Sequence, residues 1–511
     1  MDDAWPETVD GVPNLSGHED TVRAVMRRPP LPQHLAGGVD FGRIRAGFAC
    51  ALHMHQPLIP AGGADLHTAR IISNLQHMLE NPHDGDNHNA GVFHWCYKRM
   101  GELIPQLVRE GKQPRIMLEY SGTLLHGLRD MGLDDVFAAL VPLAREPDYA
   151  RCVEWLGAPW GHAVAPSTPV QDFRLHVEAF QQHFAALFGL DALARVRGFS
   201  PSEMALPNQP DVAFAFVKTL RDCGYRWVLV QEHSVERAED GGPLRDKHIP
   251  HRLVARSSEG ESASIIAIIK TQGSDTKLVG QMQPYYEAKS LKWEPWEGPH
   301  APPRSGSAGP SPAAPPRTGA TELAGRRVPR LVTQIADGEN GGVMMNEFPP
   351  KFLQVMREAS GSEVPPLNVS EYLDSLESIG ITAADFPPIQ PLFAHRLWQR
   401  YETGSGPEKL AQVIDELKRE DARFHVEGGS WTNNISWVRG YDEVLRPMER
   451  ASALFAEKFL GKTPFNPARY RDALFHLLAA ETSCYRYWGR GMWTDYGREL
   501  AERSIRISSE A

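Results

Sequence analysis

Apolar and polar residues alternate in recognisable periods along most of the chain. The run "RAGFACALHM" ends in a polar group at His53 and reads as a strand running into a loop. "HWCYKRMGELIPQLVREG" is amphipathic with a helical period and stops in Lys/Arg then Gly, which predicts a helix over 94–111. "PRIMLEYSG" predicts a second strand, and "DVFAALVPLARE" and "RLHVEAFQQHFAALFG" predict two helices. "VRGFSPSEMAL" opens as a strand and turns polar. "DVAFAFVKTLRDCG" is a helix closed by Gly224. "YRWVLVQE", "SASIIAIIK" and "VPRLVTQIADGENGG" are rich in β-branched and aromatic residues and read as strands. Strand and helix alternating over this length predict a parallel α/β architecture, a barrel or an open sheet.

The pattern changes twice. From about 296 to 327 the chain is dense in Pro, Gly, Ala and Ser, and it reads as a disordered insertion within the α/β part. Beyond about residue 366, four stretches from "SEYLDSLESIG" to "YRDALFHLLAAETSCYRYWG" carry apolar residues at helical spacing. The expected organisation is a polar leader over 1–42, an α/β unit over 43–365 and a helical domain over 366–511.

Composition narrows the function. The 511 residues are 41% hydrophobic and 23% charged, with net charge −10, which argues against nucleic acid or an anionic membrane as partner. There is no apolar run of membrane-spanning length. The opening residues lack the basic and apolar regions of a signal peptide. Five scattered cysteines, with no CxxC pair, predict reduced thiols and a cytoplasmic protein.

In parallel α/β folds the loops after the strands build the site. Those positions hold His53, His55 and Gln56; Glu119 and Tyr120; Trp160 and His162; Glu203; Asp275; and Asp337 with Glu339. Two carboxylates at separate strand ends, among histidines and aromatic rings, suit glycoside cleavage. That reaction needs one carboxylate beside the anomeric carbon and a carboxyl that protonates the leaving oxygen. An alternative is a metal-dependent barrel hydrolase or deacetylase, because His53 and His55 share a strand face. A third reading is a non-catalytic glucan-binding protein on the same fold. The histidines of the loop 77–94 show no spacing typical of zinc and read as a polar loop.

Five stretches in order, "HMHQP", "GHAVAP", "GFSPSE", "ADGEN" and "AAETSCYRYWG", resemble the five sequence regions of glycoside hydrolase family 57. The resemblance spans about residues 45 to 500. It implies an incomplete parallel (β/α)7 barrel followed by a C-terminal α-helical domain. It also implies a retaining, cofactor-free and metal-free enzyme that acts on an oligo- or polysaccharide, of the α-amylase, 4-α-glucanotransferase or branching-enzyme type. Residue by residue, it implies Glu203 as nucleophile and Asp337 as general acid/base, with Asp275 the alternative acid. His55, Gln56, Trp160, His162, Tyr487 and Trp488 become expected sugar contacts. Trp431, in the turn-rich stretch "EGGSWTNNISWVRGYDE", is a further expected contact from the helical domain. The chain departs from the family pattern at Ser200, where many members carry Trp, and at Gly341 and Gly342, where relatives carry bulk.

Overall fold

The computed structural model describes residues 5–29, 41, 43–271, 279–291, 321–339, 342–430, 440–487 and 491–510. Seven strands form its centre: β1 (Ala46–Met54), β2 (Ile116–Tyr120), β3 (Val153–Gly157), β4 (Gly198–Phe199), β5 (Trp227–Gln231), β6 (Ser262–Lys270) and β7 (Arg330–Asp337). Each pairs in parallel with its sequence neighbour. β7 closes on β1 over its whole length, from Arg330↔Ala46 to Asp337↔His53. The result is a closed, seven-stranded parallel barrel, as the sequence motifs imply. Beyond β6 the sheet continues through three strands, His251–Arg256, Pro388–Pro391 and Val235–Arg237.

The strand pleat sorts the side chains. Ala49, Ala51, Met117, Leu156, Trp227, Leu229, Ile266, Ile268, Leu331 and Ile335 fill the barrel interior. Phe48, Cys50, Leu52, Leu118, Val228 and Val332 face the surrounding helices. Truncating a filled interior position such as Ile268, 3% exposed, to Ala costs about 2–5 kcal/mol. One pleat above this apolar filling, the inward positions at the C-terminal strand ends turn polar. They are His53 on β1, Glu119 on β2, Gln231 on β5, Lys270 on β6 and Asp337 on β7. That polar end is where the barrel holds its chemistry.

Helices begin where the sequence supplies caps. α1 (Val170–Phe188) connects β3 to β4 and stops at Gly189, φ +87°. α2 (Pro210–Asp222) has Pro at its first position, and the Gln209 side chain accepts from Val212 N–H. α3 (Val369–Ser378) starts with a capping box between Asn368 and Glu371. It plugs the bottom of the barrel with Tyr372, Leu373 and Leu376, and Ser370 Oγ accepts from Trp227 Nε1 at 3.1 Å. The chain from 366 to 391 therefore stays with the barrel, first as this plug and then as a strand of its sheet. Among the described residues four long helices follow: Gly406–Glu420, α4 (Asp442–Phe459), α5 (Pro467–Ala480) and α6 (Met492–Ser509).

Three further stretches differ from the sequence expectation, beside 366–391. The predicted helix over 94–111 is two helices, Ala90–Lys98 and Met100–Arg109. The stretch expected as a polar leader folds over 5–29, with Val22, Val25 and Met26 of helix Glu19–Met26 buried in the main core. Three apolar residues on one face outweigh its polar composition. Of the expected insertion, 296–320 lies outside the described residues, while Thr321–Leu323 and Arg326–Val328 pair as a hairpin. Among the described residues no helix is long and apolar enough to cross a membrane.

Candidate active site

Glu203 follows β4 in a single turn, Ser202–Met204. It sits at φ +57°, Met204 at +49° and His162 at +56°. Each left-handed non-glycine residue costs of order 1–3 kcal/mol and persists only where surrounding packing enforces it. Three such residues in one place mark a built site. Glu203 is 8% exposed. Its Oε1 accepts from the Ser483 hydroxyl at 3.0 Å. That donation makes Ser483 Oγ the acceptor for His162 Nδ1, 2.9 Å away. His162 is thereby fixed as the Nδ1–H tautomer, and its buried Nε2 has no protein partner. Burial holds His162 neutral, well below the usual imidazole range, with His55 and His53 adding to the effect.

A second group of acids comes from β1, β2 and β7. Asp337 and His53 are cross-strand neighbours, as are His53 and Glu119. His53 Nδ1 bonds Glu119 Oε2. Burial disfavours the His53 cation, but Glu119, Asp337 and Glu339 together push it up to about 10. It is therefore an imidazolium. Glu339 is pushed the other way. Burial, then the Asp337 charge, raises its carboxyl to about 8. Its Oε1 accepts the His55 N–H at 2.9 Å and the Tyr97 hydroxyl at 3.5 Å, while Oε2 is buried without a partner. Burial lowers the Lys270 ammonium to about 8, and Asp337 opposes that shift. The result is a protonated Glu339 carboxyl packed with Asp337, Glu119, His53 and Lys270 at one barrel mouth.

The turn carrying these acids is fixed from below. Buried Arg99 donates to Gly338 O at 2.8 Å and to Met344 O at 2.5 Å. Gly338 N–H donates to His53 O at 2.7 Å, and a Cβ at 338 would lie 2.1 Å from Met54 Cε. A side chain at 338 would therefore have to displace the end of Met54.

Ser483 reaches Glu203 because a buried polar core docks α5 onto the barrel. His176 Nδ1 accepts Gly161 N–H at 3.0 Å, so its Nε2–H donates to Glu481 Oε2 at 2.7 Å. Burial pushes Glu481 up to about 8, and burial with the Glu481 carboxyl pushes Asp172 up to about 9. A Cβ on Gly161 would lie 2.1 Å from Leu478 O, which keeps the two parts in close contact. Arg486 is lowered by burial to about 10, with Glu203 and Glu481 as its main opposing charges.

His55, His162, Glu203 and Asp337 thus come to one end of the barrel. His55 is held by Ser121 Oγ at 2.7 Å, and Ser121 also caps helix Gly122–Asp130. Gln56 does not face a ligand. Its amide donates to Tyr97 at 3.0 Å and its carbonyl accepts from Asn74 at 2.9 Å, which spends both ends on the protein. Trp160 is a core residue and not a sugar platform. It is fully buried, donates Nε1–H to His183 at 3.1 Å and packs edge-on against Phe475. Asp275, Trp431 and Trp488 lie outside the described residues. Tyr487 ends the helix Cys484–Tyr487. Ser200, a departure from the family pattern, is buried with its N–H on Gly157 O at 2.8 Å.

Glu119, Ser121, Lys270, Glu339, Ser483 and Arg486 were given no role from sequence. Glu119 and Glu339 stood in the strand-end positions. Lys270 is in phase with Ile266 and Ile268, the signal that it faces inward. The metal alternative finds no geometric support. The His55 and His162 rings stack at 4.0 Å, and those of His53 and His162 at 4.8 Å, so their nitrogens lie in stacked planes rather than converging. Among the described residues no group of three or more His, Cys, Asp and Glu side chains is arranged to hold a metal ion.

The sequence matches no protein-family model and no curated protein. Solved structures do match. The chain is similar to a 4-α-glucanotransferase from Thermococcus litoralis, at 16% identity and TM-score 0.52, over 92% of this chain and 60% of that one. It therefore spans less than two thirds of that enzyme. It is also similar to a GH57-type branching enzyme from Pyrococcus horikoshii, at 11% identity and TM-score 0.50, over 91% of this chain and 88% of that one. A GH57 branching enzyme from Thermococcus kodakaraensis aligns at 12% identity and TM-score 0.50, over 91% and 89% of the two chains. The architecture is a parallel α/β barrel with a helical C-terminal region. More particularly, it is the fold of glycoside hydrolase family 57 enzymes.

Proposed function

We propose that this chain is a retaining glycoside hydrolase or transglycosylase acting on α-glucans. The observation that carries the reading is Glu203, buried in a left-handed turn and held by Ser483, at the same barrel mouth as Asp337 and Glu339. Glu203 attacks the anomeric carbon as the glycosidic bond breaks, and the leaving oxygen takes the proton of Asp337. The glycosyl–Glu203 ester is then cleaved by water or by a sugar hydroxyl, whose proton returns to Asp337. His162 Nε2 accepts from a sugar hydroxyl, and the His53 imidazolium stabilises the negative charge left on Asp337 once its proton has passed to the leaving oxygen. Glucan as substrate is supported by the fold shared with a glucanotransferase and branching enzymes. All five cysteines are free thiols, which suits a cytoplasmic site of action.

The test incubates the purified protein with maltoheptaose and amylose, with Glu203→Gln and Asp337→Asn alongside. Shorter products, or a ladder of shorter and longer ones, made by the wild type alone support the reading. A folded Glu203→Gln protein with full activity sinks it.

A further inference from the structure

A cavity of about 470 Å³ opens at the barrel rim, between the end of β5 and the strands Val235–Arg237 and Pro388–Pro391. Gln231, the last residue of β5, lines it. This side chain is 1% exposed, and its Nε2 has no partner in the protein. A buried donor left unmade costs about 1–3 kcal/mol, and a ligand acceptor would remove that cost. His233 stands beside it and donates Nε2–H to Ser430 O at 3.0 Å, which leaves Nδ1 as an acceptor. Glu236 stiffens the wall, its carboxylate accepting from Gln390 Nε2 at 3.0 Å, Phe393 N–H at 3.0 Å and His395 N–H at 2.6 Å. Val235, Leu244 and Leu392 give the cavity an apolar side.

Charge and shape select the ligand class. Glu232 is paired with Lys247 at 3.0 Å, and the Glu236 carboxylate, which meets only amide donors, disfavours an anion. Among the described residues no trio of side chains here is arranged for a metal ion. What fits is a neutral ligand with hydroxyls that both donate and accept, and with an apolar C–H face. The volume lies in the ~300–1,000 Å³ range of small-ligand pockets. The location fits as well. Gln231 is the cross-strand neighbour of Lys270, whose ammonium is attracted by Asp337. The cavity therefore adjoins the acid side of the candidate active site.

We propose that this cavity is an accessory saccharide subsite, taking hexose units of the substrate chain beyond those at the scissile bond. The proposal rests on the glucan-active reading above. In the test, kcat/KM is measured on maltotriose through maltoheptaose for the full-length wild type, Gln231→Met and Leu392→Trp. The first variant deletes the donor at equal length; the second narrows the cavity from the opposite wall. The ratio of kcat/KM for maltoheptaose to that for maltotriose should fall about tenfold in each variant. A ratio within about twofold of the wild type in both variants overturns the subsite. A wild type inactive on every maltooligosaccharide counts against the function reading instead. Ligand-observed NMR with maltotriose then decides the subsite. Binding seen in the wild type and lost in Leu392→Trp supports it; binding unchanged in the variant, or absent from the wild type, overturns it.

Discussion

Ser483→Ala removes one hydroxyl that serves both Glu203 and His162 of the proposed site. In the wild type it donates to Glu203 Oε1 at 3.0 Å and accepts from His162 Nδ1 at 2.9 Å. A hydrogen bond to a charged group is worth about 1.5–3 kcal/mol in a buried setting. Losing it while Glu203 must be an ionised nucleophile should lower kcat/KM about 10- to 150-fold. The acid limb of the kcat/KM profile should also move to higher pH, because the carboxylate form has lost a donor and its protonated form has not. His162 keeps a buried N–H without an acceptor, which costs about 1–3 kcal/mol of stability. The assay is kcat/KM on maltoheptaose from pH 4 to 9, with thermal unfolding alongside, and Ser483→Thr as the variant that keeps the hydroxyl. A Ser483→Ala enzyme within about twofold of wild type, with an unmoved acid limb, would refute this account of how Glu203 is held.

Three further outcomes are expected. Glu339 titrates at about 8 in the folded chain against an ordinary 4.5, so the folded state binds the extra proton between those values and loses stability as pH rises through them. Glu339→Gln should therefore gain Tm relative to the wild type at pH 8 and show a smaller difference at pH 5; an equal difference at both would contradict the assignment. Glu119→Gln strips the buried His53 imidazolium of its carboxylate and should cost about 3–5 kcal/mol, read by denaturant unfolding at pH 7. Trp160→Phe should lower Tm through a core void and an undonated His183, with KM for maltoheptaose within about twofold of wild type; a rise in KM with unchanged Tm would restore Trp160 as a sugar contact.

Much of the barrel was legible because it depends on local period. β1, β2, β5, β6 and β7 appear in the sequence as apolar runs ending in polar residues, and those ends are where the acids gather. The placing of Glu203 in a turn after a short strand was legible for the same reason: a strand, two prolines and an acid. Trp160 and Gln56 were misread because their partners are remote. Phe475 and His183 take one, Tyr97 and Asn74 the other, and an aromatic ring or an amide at a strand end looks the same in sequence whether it meets a ligand or a helix. The proton count of Glu339 and His53 was equally invisible. It depends on how many carboxyls share one dry volume, which is fixed only when β1, β2 and β7 lie side by side.

The two halves of the Glu203 clamp lie far apart along the chain, and that separation governs when the site can exist. β1 through β7 and the turns after them supply Glu203, Asp337 and Glu339, but Ser483 and the Glu481–His176 clasp arrive with α5 and the residues after it. During synthesis the chain proceeds from the N-terminus. The barrel can close while α5 and α6 are still being made, yet Glu203 then lacks its hydroxyl and His162 its tautomer. In the proposed mechanism, reactivity is thus deferred until the chain has been made past Ser483. A chain truncated before 481 should keep the carboxylates and lose the hydroxyl that holds Glu203 and sets the His162 tautomer.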